Sequence, residues 1–453
     1  MNIIIVGCGR IGSTLVEELS GENHDISIVD ERADIVQNLA NTYDVLGVIG
    51  NGASYNILLE AGVETADILI AVTNSDELNL FCCLIAKKAG TCETVARVRN
   101  PVYHKEIGFI QEEMGISKVL NPELGAALEI ARVLRFPSAM EVNQFSKGRI
   151  ELLKYRIPVG SKLHDMSLMD VSSRFQCEIL ICAVERKGEL IIPNGAFRLK
   201  ERDVISFVGR PNCAMQFFRK IEERDDQIHE VMIIGGSKIG FYLSNLLLSS
   251  GISVKLVDQS LKRCEELNEQ LPDAMIIHGN GMDHDLLMEE GLLDCDAVIS
   301  LTNHDEENMF LSLYVQGETD AKLVTKVQKM NYDALIERLD LGSMIYPEYI
   351  TAQYIVQYVR AKYNSIGSNI ENLYKLMDGR AEALEFHIQK GSPVIGTPIQ
   401  DLPLRENLLI CSIYHNGQAR IPNGQDHMEE DDLVVVVTTQ KGLHDVKDIL
   451  KRG

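Results

Sequence analysis

The sequence predicts an α/β chain built twice over: a parallel-sheet domain followed by a small α+β domain, then the same pair again. Three observations predict this. Short apolar runs lead straight into glycines, as in Ile3-Ile4-Ile5-Val6-Gly7 and Val231-Met232-Ile233-Ile234-Gly235, the pattern of strands buried on both faces. The landmarks then return at a constant offset. Gly7-Cys8-Gly9-Arg10-Ile11-Gly12 and Ser27-Ile28-Val29-Asp30 recur 228 residues on, as Gly235-Gly236-Ser237-Lys238-Ile239-Gly240 and Lys255-Leu256-Val257-Asp258. Gly50-Asn51-Gly52 and Thr73-Asn74-Ser75-Asp76-Glu77 recur 229 on, as Gly279-Asn280-Gly281 and Thr302-Asn303-His304-Asp305-Glu306. Finally, each half changes texture to short β-like runs with turn residues. These include Lys187-Gly188, Asn416-Gly417 and the paired turns Ile192-Pro193-Asn194-Gly195 and Ile421-Pro422-Asn423-Gly424.

In chain order, residues 1–120 form a first nucleotide-binding-type domain with a Rossmann-like parallel sheet, and 121–145 a connecting helix. Residues 146–225 form the first small domain. The second parallel-sheet domain spans 228–345, its connecting helix 346–370 and the last small domain 371–453. Asn121-Pro122-Glu123 and Tyr346-Pro347-Glu348 open the two connecting helices, because proline fits a first helical turn, and Leu124, Leu128 and Ala131 recur at helical spacing. Such a helix serves either as core packing or as a partner surface.

Composition narrows the function. With 453 residues, 45% of them hydrophobic and 24% charged, the chain can build real cores. Apolar runs such as Ile68 to Val72, Leu80 to Ala86 and Val434 to Val437 fall short of the ~18 to 20 residues that span a bilayer. No basic, signal-like region opens the sequence, so a cytoplasmic location is expected. Lys and Arg total 44 against 66 Asp and Glu, a net charge of -22 that repels nucleic acid and anionic lipid. The ten cysteines make no CxxC pair and sit in apolar segments, which reads as buried reduced thiols.

Strand, Gly7-x-Gly9-x-x-Gly12 and helix together form the dinucleotide signature. Gly7 permits the turn, Gly9 admits a pyrophosphate close to the backbone, and Gly12 lets helix and strand pack. Asp30, 18 residues after Gly12, stands where an acid accepts from the ribose hydroxyls, favouring NAD(H), ADP or ATP over NADP(H). Arg32 reads as a solvated loop arginine. Gly50-Asn51-Gly52 and Thr73-Asn74 follow later strands and are placed to reach the same crevice, although a plain turn and helix capping also account for them. Arg10 and Arg97 are candidate phosphate or ribose contacts, or surface ion-pair partners. In the second half Ser237 replaces the middle glycine, which counts against tight dinucleotide binding, while its hydroxyl can bond a phosphate. Lys238, Asp258, Thr302, Asn303 and Lys326 hold the positions of Arg10, Asp30, Thr73, Asn74 and Arg97.

With these residues in place, the chain resembles the TrkA family of Trk-type bacterial and archaeal potassium uptake, whose members carry two RCK (or KTN) units in tandem. The features that carry the resemblance are Gly7 to Gly12, Ala71-Val72-Thr73-Asn74-Ser75-Asp76-Glu77, Ala96-Arg97-Val98-Arg99-Asn100-Pro101 and the Ile-Pro-Asn-Gly turns. The resemblance implies a regulatory subunit without catalysis, peripheral at the inner face of the membrane. It implies nucleotide contacts from Gly7, Cys8, Gly9, Arg10, Ile11, Asp30, Thr73, Asn74 and Arg97 to NAD(H), and from their second-half equivalents to NAD(H), ATP or ADP. It also implies an integral membrane potassium-translocating partner of the TrkH or TrkG type and a homotetrameric ring. The rival class is an NAD-dependent oxidoreductase, which needs an acid or base beside the nicotinamide. His104, His164, His278 and His387 are scattered and mark no such place. A nucleotide-sensing scaffold for another membrane partner is the third reading.

Overall fold

A computed structural model describes the chain except residues 23, 91, 102, 104–105, 137, 223–227, 329–338, 340, 365–368, 377–379, 444 and 452–453, so His104 lies outside the described residues. The first domain alternates strands and helices: β1 (Asn2–Val6), α1 (Arg10–Ser20), β2 (Asp25–Asp30), α2 (Ala33–Thr42), β3 (Leu46–Ile49), α3 (Tyr55–Glu60), β4 (Ile68–Ala71), α4 (Asp76–Ala89), β5 (Glu93–Arg97), α5 (Ile107–Met114) and β6 (Lys118–Leu120). Its six parallel strands run in the order β3-β2-β1-β4-β5-β6. Ile3, Ile4, Ile5 and Val6 are all buried, as a central strand covered on both faces requires. The order reverses between β2 and β4, on either side of β1, so loops at the carboxyl ends of these strands diverge and open a crevice. Helix α6 (Pro122–Arg135) follows.

The first small domain contains β7 (Glu141–Phe145), β8 (Ile150–Arg156), α7 (Leu168–Phe175), β9 (Ile179–Arg186), β10 (Glu189–Ile191), β11 (Val204–Gly209) and α8 (Pro211–Glu222). Its antiparallel sheet has the order β10-β9-β11-β8-β7. Lys187 and Gly188 both have positive φ, the geometry that matches hairpin twist.

The second half repeats the plan. It comprises β12 (Glu230–Ile234), α9 (Lys238–Ser249), β13 (Ser253–Asp258), α10 (Leu261–Gln270), β14 (Met275–His278), α11 (His284–Glu289), β15 (Ala297–Ser300), α12 (Asp305–Glu318), β16 (Lys322–Lys326), β17 (Ser343–Ile345) and α13 (Pro347–Asn364). The parallel sheet again reads β14-β13-β12-β15-β16-β17. Strands β18 (Ile370–Leu376), β19 (Ala381–His387), β20 (Leu408–His415), β21 (Gln418–Arg420) and β22 (Leu433–Thr438) form the last sheet, ordered β18-β19-β22-β20-β21.

Like packs with like. Met1–Ala131 and His229–Val359 form one compact unit, and Arg132–Ile228 and Arg360–Gly453 another. In the first unit, Ala352, Ile355, Val356 and Val359 of α13 join Ile3, Ile5, Leu15 and Leu19 in one buried cluster. The second connecting helix is thus core packing, given to the opposite half. In the second unit, Phe145, Leu152 and Cys182 share a cluster with Ala383, Cys411 and Val435. Nine of the ten free cysteines are buried, and burial pushes the Cys8 and Cys82 thiols up to about 12.

Candidate functional site

The first crevice is a cleft of 660 Å³ lined by Cys8, Gly9, Arg10, Ile11, Asn74 and Arg97 among the expected residues. Arg32, Asp34, Ile35, Asn38 and Leu39 form its other wall, and Glu348 enters from the second half. Gly7, Gly12, Asp30, Gly50, Asn51, Gly52 and Thr73, expected at the same crevice, do not line it. Gly7 adopts φ +97°, and a Cβ there would lie 2.8 Å from the Thr73 amide nitrogen. A Cβ at Gly9 would have nothing within 4 Å. Helix α1 has no side-chain cap, so the amides of its first turn are available to an anion beside Gly9. A dinucleotide pyrophosphate fits this cradle.

Asp30 braces the glycine loop. Its Oδ2 accepts from the Cys8 amide at 2.7 Å and its Oδ1 from the Arg32 amide at 3.0 Å. The Arg32 side chain, expected in solvent, folds back on the same carboxylate, with Nε to Oδ1 at 3.1 Å and Nη2 to Oδ2 at 3.3 Å. Burial raises the Asp30 pKa, but the Arg32 and Cys8 hydrogen bonds outweigh it and hold the group below the usual 3.8. Arg10 donates to Gln328 Oε1 at 2.6 Å and to Glu348 Oε1 at 3.3 Å, so it pairs across the halves. Arg97 donates to the Val72 and Thr73 carbonyls, and burial lowers its pKa.

The loop after β4 is sewn by Asn79, a fully buried residue that sequence reasoning missed. Its Oδ1 accepts from the Thr73 amide at 2.8 Å and hydroxyl at 2.7 Å, and its Nδ2 donates to the Thr73 and Arg97 carbonyls. Thr73 is therefore turned inward. Ser75 caps α4 by accepting from the Leu78 amide. Asn308 repeats the arrangement on Thr302 and the Lys326 carbonyl. The signal was present, since the Thr73-to-Asn79 and Thr302-to-Asn308 spacings are identical.

The second cleft, of 550 Å³, is lined by Gly235, Gly236, Ser237, Asp258, Asn280, Gly281, Thr302 and Asn303. Lys238, Ile239, Gly240, Gly279 and Lys326 do not line it. Lys326 is buried, donates to the Leu301 carbonyl at 3.4 Å, and has its pKa lowered by that burial. Ser237 caps α9, its hydroxyl oxygen accepting from the Gly240 amide at 3.3 Å, a use that occupies an acceptor position and not the O–H donor. Asp258 accepts from the Gly236 amide at 2.7 Å and the Ser260 amide at 2.8 Å. Arg263, at the position of Ile35, donates to the Gly236 carbonyl at 2.6 Å and to Glu266. His164, His278 and His387 remain dispersed: His164 and His387 face Glu201 and Asp431, and the His278 ring meets the Gln259 carbonyl.

Residues 3–122 and 231–347 match the TrkA-N domain, and residues 152–222 and 383–451 match the TrkA-C domain. The chain belongs to the TrkA family. It is 30% identical over 459 residues to the Trk system potassium uptake protein TrkA of Vibrio alginolyticus, covering 100% of this chain and 99% of that one. The TrkA protein of Halomonas elongata is also 30% identical, over 460 residues, with the same coverage. Among solved structures, the GsuK channel bound to NAD aligns with a TM-score of 0.61 at 18% identity, over 97% of this chain and 77% of that one. The GsuK RCK domain aligns at 0.62 and 18%, over 97% and 92%. At that identity the likeness shows the shared RCK fold. Among the described residues of this TrkA-family chain, no helix is long and apolar enough to cross a membrane. None of their His, Cys, Asp and Glu residues form a metal-holding group of three.

Proposed function

We propose that the chain is a peripheral regulatory subunit of a Trk-type potassium transporter, stationed at the cytoplasmic face of the cell membrane, that acts by binding and not by catalysis. A nicotinamide dinucleotide of the NAD(H) class occupies the first cleft, and NAD(H), ATP or ADP the second. The partner is an integral membrane potassium-translocating subunit of the TrkH or TrkG type. Four chains, each with two repeats, associate into a ring beneath it.

The observation that carries this reading is the placement of Glu348, from the second half, in the wall of the first cleft and within reach of Arg10. A ligand phosphate drawn to Arg10 competes with Glu348, so filling the cleft changes a contact between the halves. A ligand moves a conformational equilibrium only by binding its two states unequally, and this competition supplies the inequality. Gly9 and the first turn of α1 would hold the pyrophosphate, with Arg10 beside it. The GsuK channel bound to NAD supports the assignment, as an RCK-fold protein that carries this ligand.

The test is calorimetric titration of the purified chain with NADH, ATP and ADP, followed by potassium flux in vesicles holding the membrane subunit with and without the chain. Nucleotide-dependent flux that requires the chain is the expected result. Steady NADH oxidation, or no nucleotide binding, sinks the reading.

A further inference from the structure

The two small domains share a backbone frame and carry opposite charges on one end of it. Asp203 and Asp432 are buried just before β11 and β22, where Asp203 accepts from the Lys200 amide at 2.8 Å and Asp432 from the Glu429 amide at 2.7 Å. The Arg202 amide donates to the Ile157 carbonyl at 2.8 Å, and the Asp431 amide to the Ile388 carbonyl at 2.9 Å. Arg202 and Asp431 have φ of +67° and +69°. The outward side chains differ. Arg156, Lys187, Arg198, Lys200 and Arg202 are all exposed, and His387, Asn416, His427, Glu429 and Asp431 hold their places in the second domain. At the first end Asp203, Glu185 and Asp165 are already paired with Arg186, Arg380 and Arg198, and Glu201 faces His164. Among the described residues, Arg156, Lys187, Lys200 and Arg202 have no ion-pair partner. At the second end Glu429, Glu430 and Asp431 are exposed, Arg420 is paired with Asp426, and the partners of Glu429 and Asp431 are histidines. Lys390 adds one exposed cation there, as Glu189 adds one exposed acid at the first end.

We propose that the basic end of the first small domain docks on the acidic end of the second small domain in another copy of this chain. The contact is head-to-tail, because it joins two different surfaces and so repeats from copy to copy. This rests on the self-association proposed above and names a surface for it. Charge complementarity carries the argument. One frame presents cations in the first domain and carboxylates in the second, an arrangement that draws unlike ends together and rejects like ends. The basic cluster is also out of keeping with a chain of net charge -22. Turn geometry does not call for it, since a left-handed φ suits Asp431 and disfavours an arginine such as Arg202. An anionic lipid surface would answer the basic end alone, whereas a second copy answers both.

The test is sedimentation velocity on the full chain, wild type and two charge-reversed variants: Lys200→Glu with Arg202→Asp, which makes both ends acidic, and Glu429→Lys with Asp431→Arg, which makes both basic. Each variant alone is expected to associate about tenfold more weakly than the wild type, and wild-type association to weaken as salt rises from about 50 to about 500 mM. An equimolar mixture of the two variants is expected to regain assembly, because an all-acidic chain then meets an all-basic one. That rescue also shows that both variants are folded, and a melting curve for each gives a second check. Wild-type assembly that neither reversal moves, or variants that are folded but do not assemble when mixed, overturn the inference and leave the ring reading standing on another surface. A monomeric wild type overturns both. Co-sedimentation with phosphatidylglycerol vesicles that the Lys200→Glu, Arg202→Asp variant loses, with assembly unchanged, assigns the basic end to lipid and also overturns the inference.

Discussion

Arg10 and Glu348 stand 338 residues apart in sequence and 3.3 Å apart in space. The contact joins the glycine loop of one repeat to the connecting helix of the other. Burial raises the Glu348 pKa above the usual 4.5, more than the Arg10 pairing lowers it. Glu348→Gln should therefore release Arg10 to a ligand phosphate and tighten NADH binding in the first cleft by about three- to tenfold. Calorimetry beside Arg10→Gln, which should weaken the same step, checks the direction.

Gly9 and Gly12 sit in one turn and should respond oppositely to alanine. A Cβ at Gly12 would lie 2.0 Å from the Gly7 carbonyl oxygen, and backbone cannot give way there as a side-chain tip can. Gly12→Ala should cost about 3 kcal/mol of stability, seen in chemical denaturation. Gly9→Ala meets no atom, so the fold should hold to within about 1 kcal/mol while dinucleotide binding falls.

Removing the Asn79 side chain strands the Thr73 amide and the Arg97 carbonyl and takes from the Thr73 hydroxyl its shorter hydrogen bond, leaving it the Ser75 backbone. Asn79→Ala should lose about 3 kcal/mol and raise hydrogen exchange at Thr73. Asn308→Ala should do the same at Thr302 in the second half. Exchange confined to the mutated half would match the separate stitching of each loop.

In the other unit, Glu385 accepts from the Ser146 amide at 2.6 Å and hydroxyl at 2.8 Å, tying the two small domains. Burial raises its pKa above the usual 4.5 despite these bonds and that from Asn372. An acid raised in the native state contributes stability that is full below its unfolded value, 4.5, and is lost as pH rises through its native value. Glu385→Gln should flatten the stability profile above pH 4.5, measured by denaturation across pH. Glu385→Ala should instead lower stability throughout, by about 2 kcal/mol, since Ser146 is left unpaired.

The duplication and both sheet types were legible because period and offset are properties of one dimension. Ile3 to Val6 must be central strand, and a repeated Gly-x-x-x-x-Gly frame must open a helix after it. What escaped the sequence is contact across the halves. Nothing in the neighbours of Arg10 names Glu348, and the apolar positions of α13 show that a face is buried without saying against which sheet. Arg32 is exposed, as a loop arginine is expected to be, but its pairing with Asp30 was not legible for a related reason: it depends on how the α2 start turns back over Asp30, a matter of dihedral angles. Ser237 was read as a candidate phosphate ligand, and its capping of α9 through an acceptor position is a second use of the same hydroxyl that the sequence did not name.

The pairing of like with like also sets a timetable for synthesis. The chain passes from one unit to the other three times, after Ala131, Ile228 and Val359. A ribosome delivers the first parallel sheet long before the α13 residues that close its core, so that apolar face waits uncovered while more than two hundred further residues are made. Contacts of such long sequence separation form slowly and leave a sticky intermediate in the interval. A nascent chain of this design is expected to need its apolar face held until the second repeat emerges, and a chain cut between the repeats is expected to aggregate rather than fold as an independent half.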